Sequence, residues 1–472
     1  MNKQAAMQAE NFFQRIQAIQ MEDGKPLLEP DTVSYSTLLN TWSKSTDKLA
    51  AERCERLLQT LEQRYLTTHS SSDLNISYYN IWINALSRSG DNHAGTKAGN
   101  ILRRVEELQA SGCNIQPNLI TFNSILNAWA KSTEPRAASS AEALLQKMER
   151  SHEQNKLDFR PDNISYTTVI DAPAKSGEKD AALRAEQILL KMLRNYRRGD
   201  IDSKPNTISF TSVIHAFSKC SSGNGPKKAE TILRLMEKSF LEGNMVADPN
   251  TVTYSAVIGA WSKSSEQDAF DNAKKIFDEM LSLEKMGRSV HLITVTYASL
   301  INALARSKKL GKAKKAHAIL EEMEMLYQKG NRHVKPNMYV INSVLSACAF
   351  TNGSKAERRD AMSVVMKILD RCMHTYGKPD SITYSIAFQA FYVLTTTMEE
   401  KAEISSIVRT LFRNCCEEGL VDKNVLKKFR KAATTEVYRD LINSLPVTDA
   451  YKDNTAYDYL PQKWKCNVRC SF

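Results

Sequence analysis

Three kinds of hydrogen-bonding or charged residue recur at fixed places along this chain. A short residue, polar in all but one copy, follows Tyr or Phe (Ile in one copy) at Ser36, Asn80, Asn123, Thr167, Thr211, Ser255, Ala298, Asn342 and Ser385, in steps of 43 or 44 residues. Five residues before each stands Asp31, Asn75, Asn118, Asp162, Asn206, Asn250, Ile293, Asn337 or Asp380, mostly after a proline. Nine residues after the aromatic stands a cation in seven units: Lys44, Arg88, Lys131, Lys175, Lys219, Lys263 and Arg306. Asn offers a donor and an acceptor, ionised Asp only accepts, and a hydroxyl does both at shorter reach. A cation once per period beside such a group is the electrostatic track that a polyanion's backbone requires.

The elements that must hold these residues follow from the apolar spacing around them. Tyr35, Leu38, Leu39 and Trp42 fall at i, i+3, i+4 and i+7, one face of a helix. Phe122/Ile125/Leu126/Trp129, Phe210/Val213/Ile214/Phe217 and Tyr254/Val257/Ile258/Trp261 repeat it, so three of the five tryptophans read as core. Proline ahead of each copy fixes φ where a helix starts and withholds no needed donor. A second helix follows, headed by a small residue: Cys54, Ala98, Ala141, Ala185, Ala229, Ala273, Ala316 and Ala361, with Ile404 in the last copy. A small residue there lets antiparallel helices approach closely. Neither helix buries its apolar face alone, so the pairs must stack. The predicted fold is all-α, a right-handed solenoid superhelix of about nine antiparallel helix pairs plus a partial one.

Composition narrows the partner. Sixty-four Lys and Arg against 53 Asp and Glu leave a formal charge of +11, with a pI near 9.0. That excess favours nucleic acid first and an acidic membrane surface second. No run of 18 apolar residues is present to span a bilayer. The nine cysteines are scattered with no C-x-x-C, which reads as buried free thiols in a reducing compartment, with no metal site. No phosphate loop, deaminase signature or acidic cluster for metal-assisted cleavage occurs, and the eight histidines are isolated. The chain is therefore read as a non-enzyme without cofactor or small-molecule substrate.

The units resemble the pentatricopeptide repeat family, which opens on Pro-Asp/Asn and V-[ST]-[YF]-[NST] and closes on A-x-x-[LI]-[LF]-x-x-M. Val252-Thr253-Tyr254-Ser255-Ala256-Val257-Ile258 and Ala273-Lys274-Lys275-Ile276-Phe277-Asp278-Glu279-Met280 match closely. The resemblance covers residues 5–423, but these units are longer than the family's usual ones. The extra residues are expected between the helices (Gly90–Lys97, Ser221–Lys228) and after the second helix (His152–Arg160, Lys329–Lys335).

The resemblance implies sequence-selective binding of single-stranded RNA, one base per unit, in organellar RNA processing, stability or translation. It places the protein in mitochondria or plastids, with other proteins of an RNA-processing complex as secondary partners and no membrane partner. By it, each residue after the aromatic acts with the residue after the next proline. Asn123 with Asp162, and Asn342 with Asp380, then favour U. Thr167 with Asn206, Thr211 with Asn250, and Ser36 with Asn75 favour A, and Asn80 with Asn118 a pyrimidine. Ser255 meets Ile293 and Ala298 meets Asn337, so those units should read poorly, and Ser385 is left without a defined partner. The aliphatic residues Val33, Ile120, Ile164, Ile208, Val252, Val295 and Ile382 resemble those that wedge between bases, while Ser77 and Tyr339 break the pattern. A core role for that row and a capping role for the Asn/Asp row are the competing readings. A protein-binding scaffold on the same fold is the alternative function.

Four stretches are distinguished along the chain. Residues 1–30 carry a second helix without its first, as though the chain begins in mid-repeat, and residues 31–423 form the array. Residues 424–444 form a capping helix or helix pair, and residues 445–472 a tail. Pro173 stands where other units carry Trp, Phe or Leu, so a bend is expected between Thr167 and Lys175.

Overall fold

Each Asn or Asp of the repeated signature starts a helix for a local reason. The side chains of Asp31, Asn75, Asn118, Asn206, Asn250, Asn337 and Asp380 accept from backbone N–H groups two or three residues on, satisfying donors that a helix start leaves open. The competing capping role is thus real. At Asn118, Asn206, Asn250 and Asp380 the Ser or Thr three residues on returns a bond to the cap's own N–H. Ile293 has no such side chain and leaves its helix uncapped.

The structure is a computed structural model that describes residues 3–18, 30–45, 47, 49–68, 74–176, 180–220, 223–442, 457 and 460–468. First helices are α2 (Thr32–Ser43), α4 (Ile76–Arg88), α6 (Leu119–Lys131), α8 (Asn163–Ser176), α10 (Thr207–Lys219), α12 (Thr251–Lys263), α14 (Thr294–Arg306), α16 (Met338–Ala349) and α18 (Ser381–Leu394). Second helices are α1 (Lys3–Ala18), α3 (Ala50–Thr68), α5 (Ala94–Ala110), α7 (Ala137–Glu153), α9 (Ala181–Arg197), α11 (Gly225–Leu241), α13 (Ala269–Lys285), α15 (Lys312–Gln328) and α17 (Lys355–Arg371). The ninth unit's second helix is broken at Ile404 into α19 (Met398–Glu403) and α20 (Ser405–Glu417), followed by α21 (Lys423–Ala432) and α22 (Thr435–Ile442). No strand occurs among the described residues, and none of their helices is long and apolar enough to cross a membrane.

The chain forms two units, one of residues 1–220 with 231–248, the other of residues 221–230 with 249–472. In the first, α2, α4, α6, α8 and α10 pack successively on one another, and α3, α5, α7 and α9 each sit against their own first helix and the next. One apolar core runs from Ala6 to Met192. The second unit repeats this layering through α12, α14, α16, α18 and α21. Cys54, Ala98, Ala141, Ala185, Ala229, Ala273, Ala316 and Ala361 are completely buried, as the helix contact requires. Trp42 and Trp261 are also core, whereas Trp129 is only partly buried. Trp129 lies flat over Gly95, where a Cβ would stand 2.2 Å from its Cε3.

His152–Arg160 and Lys329–Lys335 lie at and beyond the ends of α7 and α15, as the sequence suggests, but the stretches between the helices differ from the sequence expectation. Gly90–Lys97 is about half helix, since α5 begins at Ala94, and of the described residues 223–228 most are helix, since α11 begins at Gly225. The second helices instead run to 17 residues, and α5, α9, α11, α13 and α15 are each stopped by a left-handed glycine two residues on. These are Gly112, Gly199, Gly243, Gly287 and Gly330, a position that disfavours any side chain. The loops that follow are tied one repeat back. Thr207 Oγ1 donates to the carbonyl of Asp248 at 2.9 Å, and Thr294 Oγ1 to that of Lys335 at 2.8 Å. α8 runs unbroken through Pro173.

Candidate nucleic-acid interface

Three of the predicted residue pairs meet across neighbouring first helices. Asn80 Nδ2 donates to Asn118 Oδ1 at 3.4 Å, Asn123 Nδ2 to Asp162 Oδ1 at 3.2 Å, and Asn342 Nδ2 to Asp380 Oδ1 at 3.4 Å. All three have Asn in the first place. The hydroxyls of Thr167, Ser255 and Ser36 are one atom shorter and go elsewhere. Thr167 Oγ1 shares a 2.7 Å bond with Ser209 Oγ, three residues past Asn206. Ser255 Oγ shares a 3.0 Å bond with Thr296, three past Ile293. Ser36 turns back to the carbonyl of Val33 in its own helix, 2.9 Å away. Ala298 is fully buried, and Thr211 and Ser385 are nearly so.

The residue that sequence reasoning missed is the Ser or Thr three places after the cap. Thr121, Ser165, Ser209, Thr253, Thr296 and Thr383 are at most 1% exposed. Each completes a capping box except Thr296, and several also touch the residue after the aromatic in the preceding unit. Ser165 Oγ lies 2.6 Å from Asn123 Oδ1 and 2.9 Å from Asp162 Oδ1, while the Ser165 N–H donates to that same carboxylate oxygen at 2.8 Å. The signal was the [ST] of the repeated signature. Spacing within one helix gives that hydroxyl no partner in the preceding unit, so nothing in the sequence sets it apart from the framework. In the first unit the Ser34 hydroxyl and N–H hold the Asp31 carboxyl below its usual value.

The aliphatic row is exposed, against the core reading. Val33, Ile120, Ile164, Ile208, Val252, Val295 and Ile382 are each 51–65% exposed, and Tyr339 is 54%. Seven units thus leave an aliphatic side chain in water at this place and an eighth leaves Tyr339, while Ser77 holds it in the second unit. The row projects from the first turn of the helix, three places before the residue that follows the aromatic.

Lys44, Arg88, Lys131, Lys219, Lys263 and Arg306 are exposed at the far ends of the first helices, and the side chain of Lys175 lies outside the described residues. The two arginines also act inside the array. Arg88 donates to the carbonyl of Ser43, 3.5 Å away, and Arg306 to that of Lys263 at 3.2 Å, each the last residue of an earlier first helix. A cation at a helix C-terminus is favourable. On the second-helix face, by contrast, many cations pair with carboxylates one repeat away: Arg53 with Glu10, Arg104 with Glu62, Lys147 with Glu106, Lys191 with Glu149 and Arg371 with Glu324. Much of that face is internally neutralised. Among the described residues no group of His, Cys, Asp and Glu is disposed to hold a metal ion.

The model of the pentatricopeptide repeat domain family matches residues 72–132. Among solved structures, the pentatricopeptide repeat protein PPR10 in complex with an 18-nt psaJ RNA element aligns with a TM-score of 0.53 at 18% identity, over 93% of this chain and 52% of that one. A cysteine-to-serine variant of PPR10 with the same RNA element gives the same TM-score, identity and coverage. This chain thus spans about half the length of those proteins and shares their helical-repeat fold. No curated protein sequence matches it.

Proposed function

We propose that this pentatricopeptide repeat array binds single-stranded RNA selectively, one base per helix pair, and acts on transcripts by occupying them rather than by catalysis. The observation that carries this reading is the set of Asn–Asn and Asn–Asp pairs bridging successive first helices, beside a row of exposed aliphatic residues. A base slotted between two such aliphatic side chains would present its edge to the paired amide and carboxyl groups. Asn123 with Asp162 keeps an N–H to donate and carboxylate lone pairs to accept, which suits the adjacent carbonyl and N–H of uracil. PPR10 is a protein of this fold solved with an RNA element, which supports the ligand class. The phosphate backbone would follow Lys44, Arg88, Lys131, Lys175, Lys219, Lys263 and Arg306. Transcript processing, stability or translation in mitochondria or plastids is the setting the family suggests.

The proposed footprint is 5′-AYUAANNUN-3′, with Y a pyrimidine. It is tested by comparing this strand with a scrambled one of the same composition in a titration against the full chain. Tighter binding of the matched strand supports the reading. Equal binding, with no loss as salt rises, points instead to a protein-binding scaffold. Exchanging Asn123→Thr together with Asp162→Asn should move the third base preference from U to A.

A further inference from the structure

The repeat does not stop where the base readers stop. Asp422 caps α21, accepting from the Val425 N–H at 2.7 Å, and α21 packs on α18 as α18 packs on α16 and α16 on α14. In this tenth first helix the place of the wedge, two after the cap, is Asn424, and the place of the reader, five after it, is Lys427. The helix carries Lys423, Lys427, Lys428, Arg430 and Lys431 and no acidic residue. Lys423, Lys427 and Lys431 stand four apart on one exposed stripe.

An aromatic ring flanks each end of that stripe. Lys423 Nζ is 5.6 Å from the Tyr457 ring centroid, and Lys431 Nζ is 5.4 Å from that of Tyr392. Lys401 Nζ lies 5.6 Å from the same Tyr392 ring and donates to the Lys431 carbonyl at 3.2 Å. Tyr392 is itself a departure. Twelve residues after the cap, all eight preceding units carry Ser or Ala, from Ser43 to Ala349, whereas the ninth carries a tyrosine that is 40% exposed. The cation at the next place ends with Arg306, giving way to Phe350 and Val393. Among the described residues no carboxylate forms an ion pair with Lys401, Lys427 or Lys431.

We infer that α21 with Tyr392 and Lys401 is a second, sequence-independent site that holds the nucleotides flanking the read bases on one side. Phosphates meet the lysine stripe and an unread base stacks on Tyr392. Cations interleaved with aromatics bind single strands in this way, because every base has a stacking face and every nucleotide a charge. Lys427 in the reading place fits this division: an ammonium group donates to any acceptor and discriminates little. The inference rests on RNA being the ligand, as proposed above.

The test uses the full chain and three strands: the nine-nucleotide footprint alone, and the same strand with six uridines added at either end. The wild-type chain should bind the strand extended at its 3′ end, beyond the ninth unit, about tenfold more tightly than the bare footprint, with a steeper salt dependence. The other extension should add little. Lys427→Ala with Lys431→Ala, and separately Tyr392→Ala, should abolish that gain while leaving affinity for the bare footprint unchanged. These side chains are exposed, and unchanged melting temperatures will show that the variants fold. If neither extension helps while matched still beats scrambled RNA, this inference is overturned and base reading stands. Base reading fails separately if the matched and scrambled nine-nucleotide strands bind alike. A polyglutamate peptide that binds the wild-type chain and competes for the extension's gain, with both lost in the lysine variant, would assign the site to an acidic protein partner and overturn the inference.

Discussion

Ser165 stands between two residues 39 positions apart in the chain, its hydroxyl 2.6 Å from Asn123 Oδ1 and 2.9 Å from Asp162 Oδ1. Its single proton serves one of them at a time, and its N–H always holds the carboxylate. Asn123 donates to that carboxylate in turn, so amide orientation and carboxylate position are set together. Ser165→Ala should therefore loosen the pair without removing it. We expect selectivity for U over other bases at that one position to fall about fivefold, in keeping with about 1 kcal/mol for a hydrogen bond, and selectivity at other positions to be kept. Ser165→Thr should restore it. A uniform loss at every base would mean that Ser165 matters only for folding.

The exposed aliphatic row separates binding from stability. Ile164→Ala and Ile208→Ala remove side chains that are 57% and 62% exposed. Each should shift the unfolding free energy by less than about 0.5 kcal/mol and weaken RNA binding several-fold. Ile125→Ala, on the buried side of its helix, should do the reverse and cost about 2–5 kcal/mol of stability.

Salt separates the cations that only meet the ligand from those with a second task. For single strands the log–log slope changes by about 0.7 per phosphate contact. Lys44→Gln should therefore flatten the slope by about that amount with the melting temperature unchanged. Arg88→Gln should flatten it similarly and also lower the melting temperature, because Arg88 reaches the C-terminal carbonyl of α2.

Gly95 sets the approach of α5 to α6. Gly95→Ala places a methyl group 2.2 Å from the Trp129 ring, and we expect about 1–3 kcal/mol of destabilisation, read by denaturant unfolding. Trp129→Leu in the same chain should recover much of it.

Acid should weaken the second unit through Glu357. The Gly311 N–H and then the Ser354 N–H hold its carboxyl below the usual value. A depressed folded pKa stabilises the fold above the unfolded value, and that contribution is lost as pH falls through the folded one. Thermal melts of Glu357→Gln should converge with the wild type as pH drops below about 4 and separate from it at pH 7. Parallel curves throughout would exclude the mechanism.

The sequence by itself determined the repeat, its helices and most of its caps. All three depend on contacts within a few residues: apolar groups at i, i+3 and i+4, and Asn or Asp ahead of a helix. Tyr35 and Ala141 could be assigned to the core from spacing alone, and both are buried. What only the tertiary structure decided depends on distances between helices. Spacing alone left Ile164 and Ile208 between core and surface, because both sides of a first helix are apolar near its start. The stack leaves them in water. Spacing alone treated Asn123 and Thr167 alike, but Asn123 reaches the next cap while the shorter Thr167 stops at Ser209. Nor could it single out Ser165 or Lys427, whose roles depend on which helix packs against which.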